Sequence, residues 1–452
     1  MTIACFLIFI LAVLVSVLTG TTLVWAMGLG SLLFFLLGRK KGVPAKELLT
    51  LMAGGIRGAA PAFTIFLLVG VLTAAWRASG TIAYFVYWGI RLIRPELYLF
   101  CTFLALSAAS MLMGSSFGAS GTLGVMLLVL AKSGGVPLIL AGGAILAGAM
   151  VGDRGSPMSG SANLVAAVTG TELLGNIRGM LKTALVPYLL SALLYLVLSF
   201  AFPMSGVNNG LAEEIMKNYR LSPLLLLPAL MVLVLPLFRV PIRITMVLSM
   251  VCGVGIAVFY QGEGLLPILR ALLFGYEPDF TGLFAQGIAG GGLSSMVLSA
   301  LVVILASTFA GIFERTGILK GLEQRLILLS EKTNFFAAVL VSGLAVAAVA
   351  ANQTLSIILT GQMLRPVTGA LKKPPEEQAL HMENTVVPLS GVIPWNICSA
   401  SQLSILGLGA GCVGLAFFPW LVALWNLGVE SLKARTGPQD WGKQGASLPK
   451  KA

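Results

Sequence analysis

The sequence predicts an all-α, polytopic membrane fold of two inverted repeats, with broken helices and re-entrant hairpins. Three observations predict it. The first is composition. Of 452 residues, 57% are apolar and 10% charged, where a soluble domain carries about 25% charged residues. The second is how that deficit is spread. Residues 1–38, 97–131, 133–152, 183–212, 280–313, 333–364 and 384–429 contain no Asp, Glu, Lys or Arg, and a helix needs about 20 apolar residues to cross a bilayer. The third is that similar phrases recur in the same order in two halves of the chain. Together these exclude an ordinary soluble enzyme, a coiled coil, a disordered chain and a nucleic-acid binder. The lipid bilayer is the expected partner. The net charge of +12 reads as cytoplasmic loops rich in Lys and Arg. Five cysteines lie scattered in apolar stretches with no paired spacing, so they read as small apolar residues.

Full spans are expected at 3–19, 21–38, 58–76, 97–114, 136–152, 183–201, 222–238, 244–261, 293–311, 334–350 and 404–426, about eleven crossings in all. Shorter or polar-interrupted pieces fall at 80–93, 116–131, 156–170, 264–275, 352–364 and 385–400. The first span has no basic segment before it and no cleavage-like site behind it, so it reads as a retained helix. Arg39, Lys40, Lys41 and Lys46 place the loop after the second span, and with it the N-terminus, on the cytoplasmic side. The expected organisation is a first membrane half at 1–201, a polar connecting loop at 202–221, a second membrane half at 222–430 and a polar tail at 431–452.

The repeat is faint but ordered. GVLTAAWRASGTI near residue 70 and STFAGIFERTGIL near residue 307 align Arg77 with Glu314, an offset of 237. The same offset lays 109–124 on 346–361, so that Ser115 and Ser116 face Asn352 and Gln353. SPMSG at 156–160 pairs with VPLSG at 387–391. Chance likeness between apolar runs is the competing explanation. A two-repeat chain of this kind binds its ligand near the midplane, where helices are interrupted.

Four interruptions carry the chemistry. The first runs from Gly114 to Thr122 inside a 35-residue stretch without charge. Non-helical backbone at membrane depth occurs only inside protein or beside a cavity. A tip carrying Ser115, Ser116, Ser120 and Thr122 offers hydroxyls and carbonyls to a hard cation. The competing explanation is a packing face of small residues. The second interruption, Gly152 to Asn163, contains Asp153 between apolar runs. Such an acid is costly and marks a functional site. Gly152, Gly155 and Pro157 argue that the helix breaks there. The Asp153 carboxylate can hold a hard cation or a proton, and competition between them is the simplest antiport chemistry. Arg154 is adjacent and is expected to neutralise it. The bland alternative is a simple loop.

The third interruption, Ala351 to Ser356, supplies amide and hydroxyl oxygens through Asn352, Gln353 and Ser356. The fourth begins with Glu383 and Asn384 and leads through Pro394 and Trp395 to Asn396. Glu383 is the second acid expected to act. His381 reads as a solvated loop residue among Lys372, Lys373, Glu376 and Glu377. Arg77 and Glu314 read as helix ends at the headgroups, with Lys320 as a further anchor, and Trp395, Trp420 and Trp425 as interface or packing residues. No phosphate-binding loop motif is present, so the energy is expected to come from an ion gradient.

These phrases resemble the NhaC family of sodium–proton antiporters, within the larger ion-transporter superfamily. The likeness covers about 55–400. It rests on GSSFGASGTLG, VGDRGSPMSGSANL, NQTLSIILTGQM and ENTVVPLSGVIPWN, in family order, with LTAAWRASGTI and AGIFERTGIL beside them. By position, Asp153, Ser156, Pro157, Ser159 and Asn163 match the first broken-helix motif. Gln353 and Ser356 match the second hairpin, and Glu383, Pro394, Trp395 and Asn396 match the last motif. The resemblance implies a multi-pass protein of a bacterial-type inner membrane that exchanges sodium ions for protons. It implies no catalytic residue and no cofactor. Asp153 and Glu383 would be ligands of the transported sodium. One branch couples sodium to organic acids such as malate and lactate, so an organic anion is the alternative cargo. Superfamily relatives are often dimers, which leaves a homodimer open. Gly160 and Asn384 stand where the family commonly has Asp, Gln362 where it often has Arg, and Arg154 where it has Lys. Two fewer acids leave ion identity and stoichiometry open.

Overall fold

The computed structural model describes residues 2–19, 21–204, 209–238, 240–316 and 323–436. Among them the regular elements are helices, and one isolated bridge joins Tyr276 to Gly290. Among the described residues, five helices are by length and composition apolar enough to cross a membrane: Pro95–Met113, Ser116–Ser133, Leu138–Gly155, Leu173–Ala201 and Ile242–Gln261. A sixth arises if Leu67–Ala78 and Thr81–Leu92, bent by 70° at their junction, count as one span. Gly80 makes that bend possible. Its φ of 76° lies in the left-handed region that an L side chain resists.

Not every apolar run is one unbroken helix. The run expected as one span at 404–426 is broken into three elements, with a short 3-10 helix, Ala410–Leu415, between two α-helices. The Ile397–Leu406 helix ends at Gly407 with φ 66°, and a new helix, Phe417–Thr436, begins ten residues later. The run at 58–76 belongs to a 34-residue helix, Ala45–Ala78. The connecting segment at 202–221 contains the Asn209–Asn218 helix, and residues 205–208 lie outside the described residues. So do residues 437–452 of the tail, Lys320, and the side chains of Glu314 and Arg315.

The Leu138–Gly155 helix lies at the centre, and most of its residues are buried. Gly148 and Gly152 let it approach the Tyr98–Met113 helix closely. A Cβ on Gly152 would lie 2.0 Å from the carbonyl carbon of Ser110. The Leu173–Ala201 helix is peripheral. Leu181, Leu185, Leu189, Leu193 and Val197, spaced four apart on one face, are each more than half exposed. An unbroken leucine-rich stripe of this kind faces lipid. The chain is a multi-pass membrane protein of all-α class.

The repeat seen in the sequence has a local structural counterpart. The Tyr98–Met113 helix ends at Gly114 in the left-handed region (φ 62°, ψ 26°), and Ser115 is extended (φ −150°, ψ 121°). The Phe335–Ala350 helix ends at Ala351 (φ 51°, ψ 18°), and Asn352 is extended (φ −144°, ψ 124°). Ser115 Oγ accepts the Gly118 N–H at 3.2 Å, and Asn352 Oδ1 accepts the Leu355 N–H at 3.1 Å. The two hairpins therefore turn the same way at positions 237 residues apart, as the alignment of 109–124 with 346–361 requires. A left-handed alanine costs about 1–3 kcal/mol. Its carbonyl accepts the Ile397 N–H at 2.7 Å, which helps to hold it.

Each hairpin also packs on a broken helix of its own half. In the first half the break is Ser156–Ser159, after the Leu138–Gly155 helix and before Gly160–Thr169. The backbone of Met158 lies against Gly114 so closely that a Cβ there would meet it at 2.5 Å. In the second half the break precedes the Ile397–Leu406 helix, which Asn396 caps. Asn396 Nδ2 also donates to the Ala347 carbonyl at 2.9 Å.

Candidate functional site

Asp153 sits in the last turn of the Leu138–Gly155 helix and is 6% exposed. The helix continues through Gly152 and Gly155, and the break falls after them, at Ser156. Glycine tolerates an interior helical position, whereas Pro157 lacks the N–H needed to continue. The loop alternative for Asp153 and Arg154 is therefore excluded. Two hydroxyls close the helix end: Ser159 and Ser161 both donate to the Asp153 carbonyl, the latter at 2.9 Å.

The Asp153 carboxylate lies where the two halves meet. Oδ1 accepts the backbone N–H of Ser116 at 3.5 Å, and Ser116 opens the Ser116–Ser133 helix. Oδ2 accepts from Gln353 Nε2 at 2.8 Å, and Gln353 opens the Gln353–Ala370 helix. Helix N-termini carry about +0.5 of an elementary charge, so two such ends converge on one carboxylate. The same Gln353 nitrogen donates to the Val387 carbonyl at 3.1 Å. A carbonyl only accepts, so the amide is oriented with its nitrogen inward.

A cavity of about 580 Å³ opens in front of Asp153. Its polar side chains are Ser115, Asp153, Ser161, Gln353 and Thr354, and Met113, Phe117, Met158, Leu164, Pro241 and Ile242 supply apolar wall. Among the described residues, no Lys, Arg or His lines it. Of the residues marked out in the sequence, Ser115, Asp153 and Gln353 come together here, with Ser116 contributing its N–H.

The other candidates do local work. Ser120 donates to Gln402 Oε1 at 2.8 Å, Thr122 to the Gly118 carbonyl at 2.6 Å, and Ser156 to the Met111 carbonyl at 2.7 Å. Ser159 caps Gly160–Thr169. The exposed Asn163 donates to the Ser159 carbonyl at 2.7 Å, and Ser356 to the Asn352 carbonyl at 2.6 Å. Ser161, Thr354 and the partner residue Gln402 went unmarked. Ser161 lay in the same hydroxyl-rich run as Asp153. Gln402 stands alone in an apolar run and gave no signal.

Arg154 does not neutralise Asp153. Its Nε donates to the backbone carbonyl of Glu383 at 2.8 Å, and its terminal nitrogens reach the Met180 carbonyl at 3.2 Å. Nη2 also donates to Thr183 Oγ1 at 3.1 Å and to the Asn384 side-chain oxygen. Arg154 thus ties the central helix to Leu173–Ala201 and Pro375–Asn384, and Asn384 serves as its acceptor. The flat five-donor fork suits this task and an ammonium does not. Arg154→Lys is expected to lower stability by about 1–3 kcal/mol, and Arg154→Met by more. A thermal melt of the purified protein in detergent would check this; a lysine variant as stable as wild type would contradict it.

Glu383 is fully buried, and no hydrogen bond reaches either carboxylate oxygen among the described residues. It does not line the cavity. His381 is buried, not solvated. It packs on Phe335 and Phe336 at ring distances of 5.6 and 5.0 Å. Arg77 is no interface anchor either. It is 8% exposed and donates to the Ile288 carbonyl and, at 2.7 Å, to that of Ala289. Trp395 packs within the second half and donates to the Ala348 carbonyl at 2.7 Å.

Comparison with known proteins follows this geometry. Residues 148–429 match the profile of the Na+/H+ antiporter family. The chain is 28% identical over 379 residues to an uncharacterized Na+/H+ antiporter of Haemophilus influenzae, covering 81% of this chain and 80% of that one. It is 29% identical over 391 residues to the Na+/H+ antiporter NhaC of Alkalihalophilus pseudofirmus, with 85% and 84% covered. It is 27% identical over 419 residues to the malate-2H+/Na+-lactate antiporter of Bacillus subtilis, with 90% and 87% covered.

Proposed function

Because the chain belongs to the Na+/H+ antiporter family, we propose that it exchanges sodium ions for protons through the Asp153 carboxylate. The observation that carries this reading is the placement of Asp153: an acid facing a cavity that no cationic side chain lines among the described residues, between helix N-termini from both halves. A carboxylate in that position takes a proton or a sodium ion, and each displaces the other. Sodium would be held by the Asp153 oxygens, with the hydroxyls of Ser115 and Ser161 and the Gln353 side-chain oxygen as further neutral ligands. Gln353 would have to turn its amide over to present that oxygen. Glu383 is a second buried acid, outside the cavity, and stands in reserve as a proton-holding group.

The organic-anion alternative needs a guanidinium in the cavity. Arg154 and Arg77 both point elsewhere and are taken up by carbonyl acceptors. Sodium–proton exchange is therefore the preferred reading. It needs no enzymatic step and no cofactor. We place the protein in the inner membrane of a bacterial-type cell, and a homodimer remains the assembly to look for by light scattering.

The test is transport in sealed vesicles with a pH dye trapped inside. An inward sodium gradient is expected to drive proton efflux. While protons occupy the site, the apparent KM for sodium should rise about tenfold for each unit fall in pH. A KM that ignores pH would rule out a shared carboxylate.

A further inference from the structure

The Asp153 cavity is far larger than a sodium ion requires. At about 30 Å³ per water, its roughly 580 Å³ would hold on the order of 20 waters. Its size falls within the range of about 300–1,000 Å³ of small-molecule pockets, which are mostly apolar with a few placed polar groups. Here the placed groups are one carboxylate and the hydroxyls of Ser115 and Ser161. The walls beyond them are Phe117, Met158, Leu164, Pro241 and Ile242. Such walls offer nothing to a bare cation. Met158, Gly160, Pro241 and Thr354 are exposed and form the opening.

We propose that this cavity binds monovalent organic cations, primary alkylammonium ions with a short apolar tail, in competition with sodium. The inference rests on Asp153 as the cation site. The ammonium head has three N–H donors and no acceptor, which suits a site of one carboxylate and acceptor hydroxyls. The tail would lie along Met158, Leu164 and Ile242. Among the described residues, the lining carries no cationic side chain to repel an ammonium ion or to partner an anion. Gly160 marks where the tail could be obstructed, because nothing lies within 4 Å of the place a Cβ would take.

The experiment is displacement of 22Na+ from the purified full chain by n-alkylammonium ions from methyl to hexyl. No pH gradient is present, so leakage of neutral amine is irrelevant. Each added methylene up to about butyl should tighten displacement roughly fourfold, the effect of burying one CH2. Gly160→Trp should flatten this dependence on tail length, and Asp153→Asn should bind neither 22Na+ nor 14C-labelled butylammonium. Displacement that does not depend on tail length, or none at all, would overturn the inference and leave the cavity as a watery approach for sodium. If 22Na+ does not bind to wild type, the sodium reading fails instead. Binding of 14C-labelled butylammonium then tests the amine site by itself. Saturable binding lost in Asp153→Asn supports it, and no saturable binding refutes it.

Discussion

Asp153→Asn is expected to abolish sodium–proton exchange while leaving a folded protein. The asparagine keeps the shape of the side chain, and its Oδ1 can still accept from Ser116 or Gln353. It has no charge for a cation and no site for a transported proton. Removing one partner of a buried ion pair costs about 3–5 kcal/mol, which is more than about 100-fold in affinity. Loss of that size should appear in both sodium binding and vesicle transport. Its thermal midpoint should fall only modestly, because one of the two donors keeps its acceptor and the loss of a single hydrogen bond costs about 1–3 kcal/mol. Residual exchange within tenfold of wild type would show that the proton or the sodium ion uses another group, and Glu383 would be the next to change.

Gly152→Val is expected to prevent stable folding. The crossing of the Leu138–Gly155 and Tyr98–Met113 helices has no room at this residue. The first added atom would lie 2.0 Å from Ser110 C and 2.2 Å from Met111 N, both rigid backbone. Overpacking against movable side chains costs about 1–3 kcal/mol, and a backbone collision should exceed that. Any relief would push the central helix outward and take Asp153, the next residue, away from Ser116. The check is yield of monodisperse protein in detergent, followed by a thermal melt. A valine variant with a wild-type melting profile would refute this account of the crossing.

The parts legible in the sequence were those that follow from local chemistry. An acid inside an apolar run is costly wherever it lies, so Asp153 stood out before any packing was known. Gly114 and the hydroxyl-rich run after it marked a turn, and the 237-residue offset located its partner at Ala351, although no glycine stands there. What stayed hidden depends on which way side chains point. Arg154 is adjacent to Asp153 in sequence, but successive residues on a helix face about 100° apart. It therefore reaches Glu383 and Met180 instead. His381 sits among charges in sequence, yet its helix face meets Phe335 and Phe336. Gln353 was legible as a site residue but not as a donor. Only the Val387 carbonyl beyond it decides the orientation of its amide.

The central claim is that sodium and a proton compete for one carboxylate. Calorimetry of sodium binding to the purified protein, in two buffers of different ionisation enthalpy, tests it most directly. Where Asp153 starts protonated, binding of each sodium ion should release about one proton, and Asp153→Asn should show neither binding nor release. Sodium binding that releases no proton at any pH, or a release unchanged in the asparagine variant, would contradict the account.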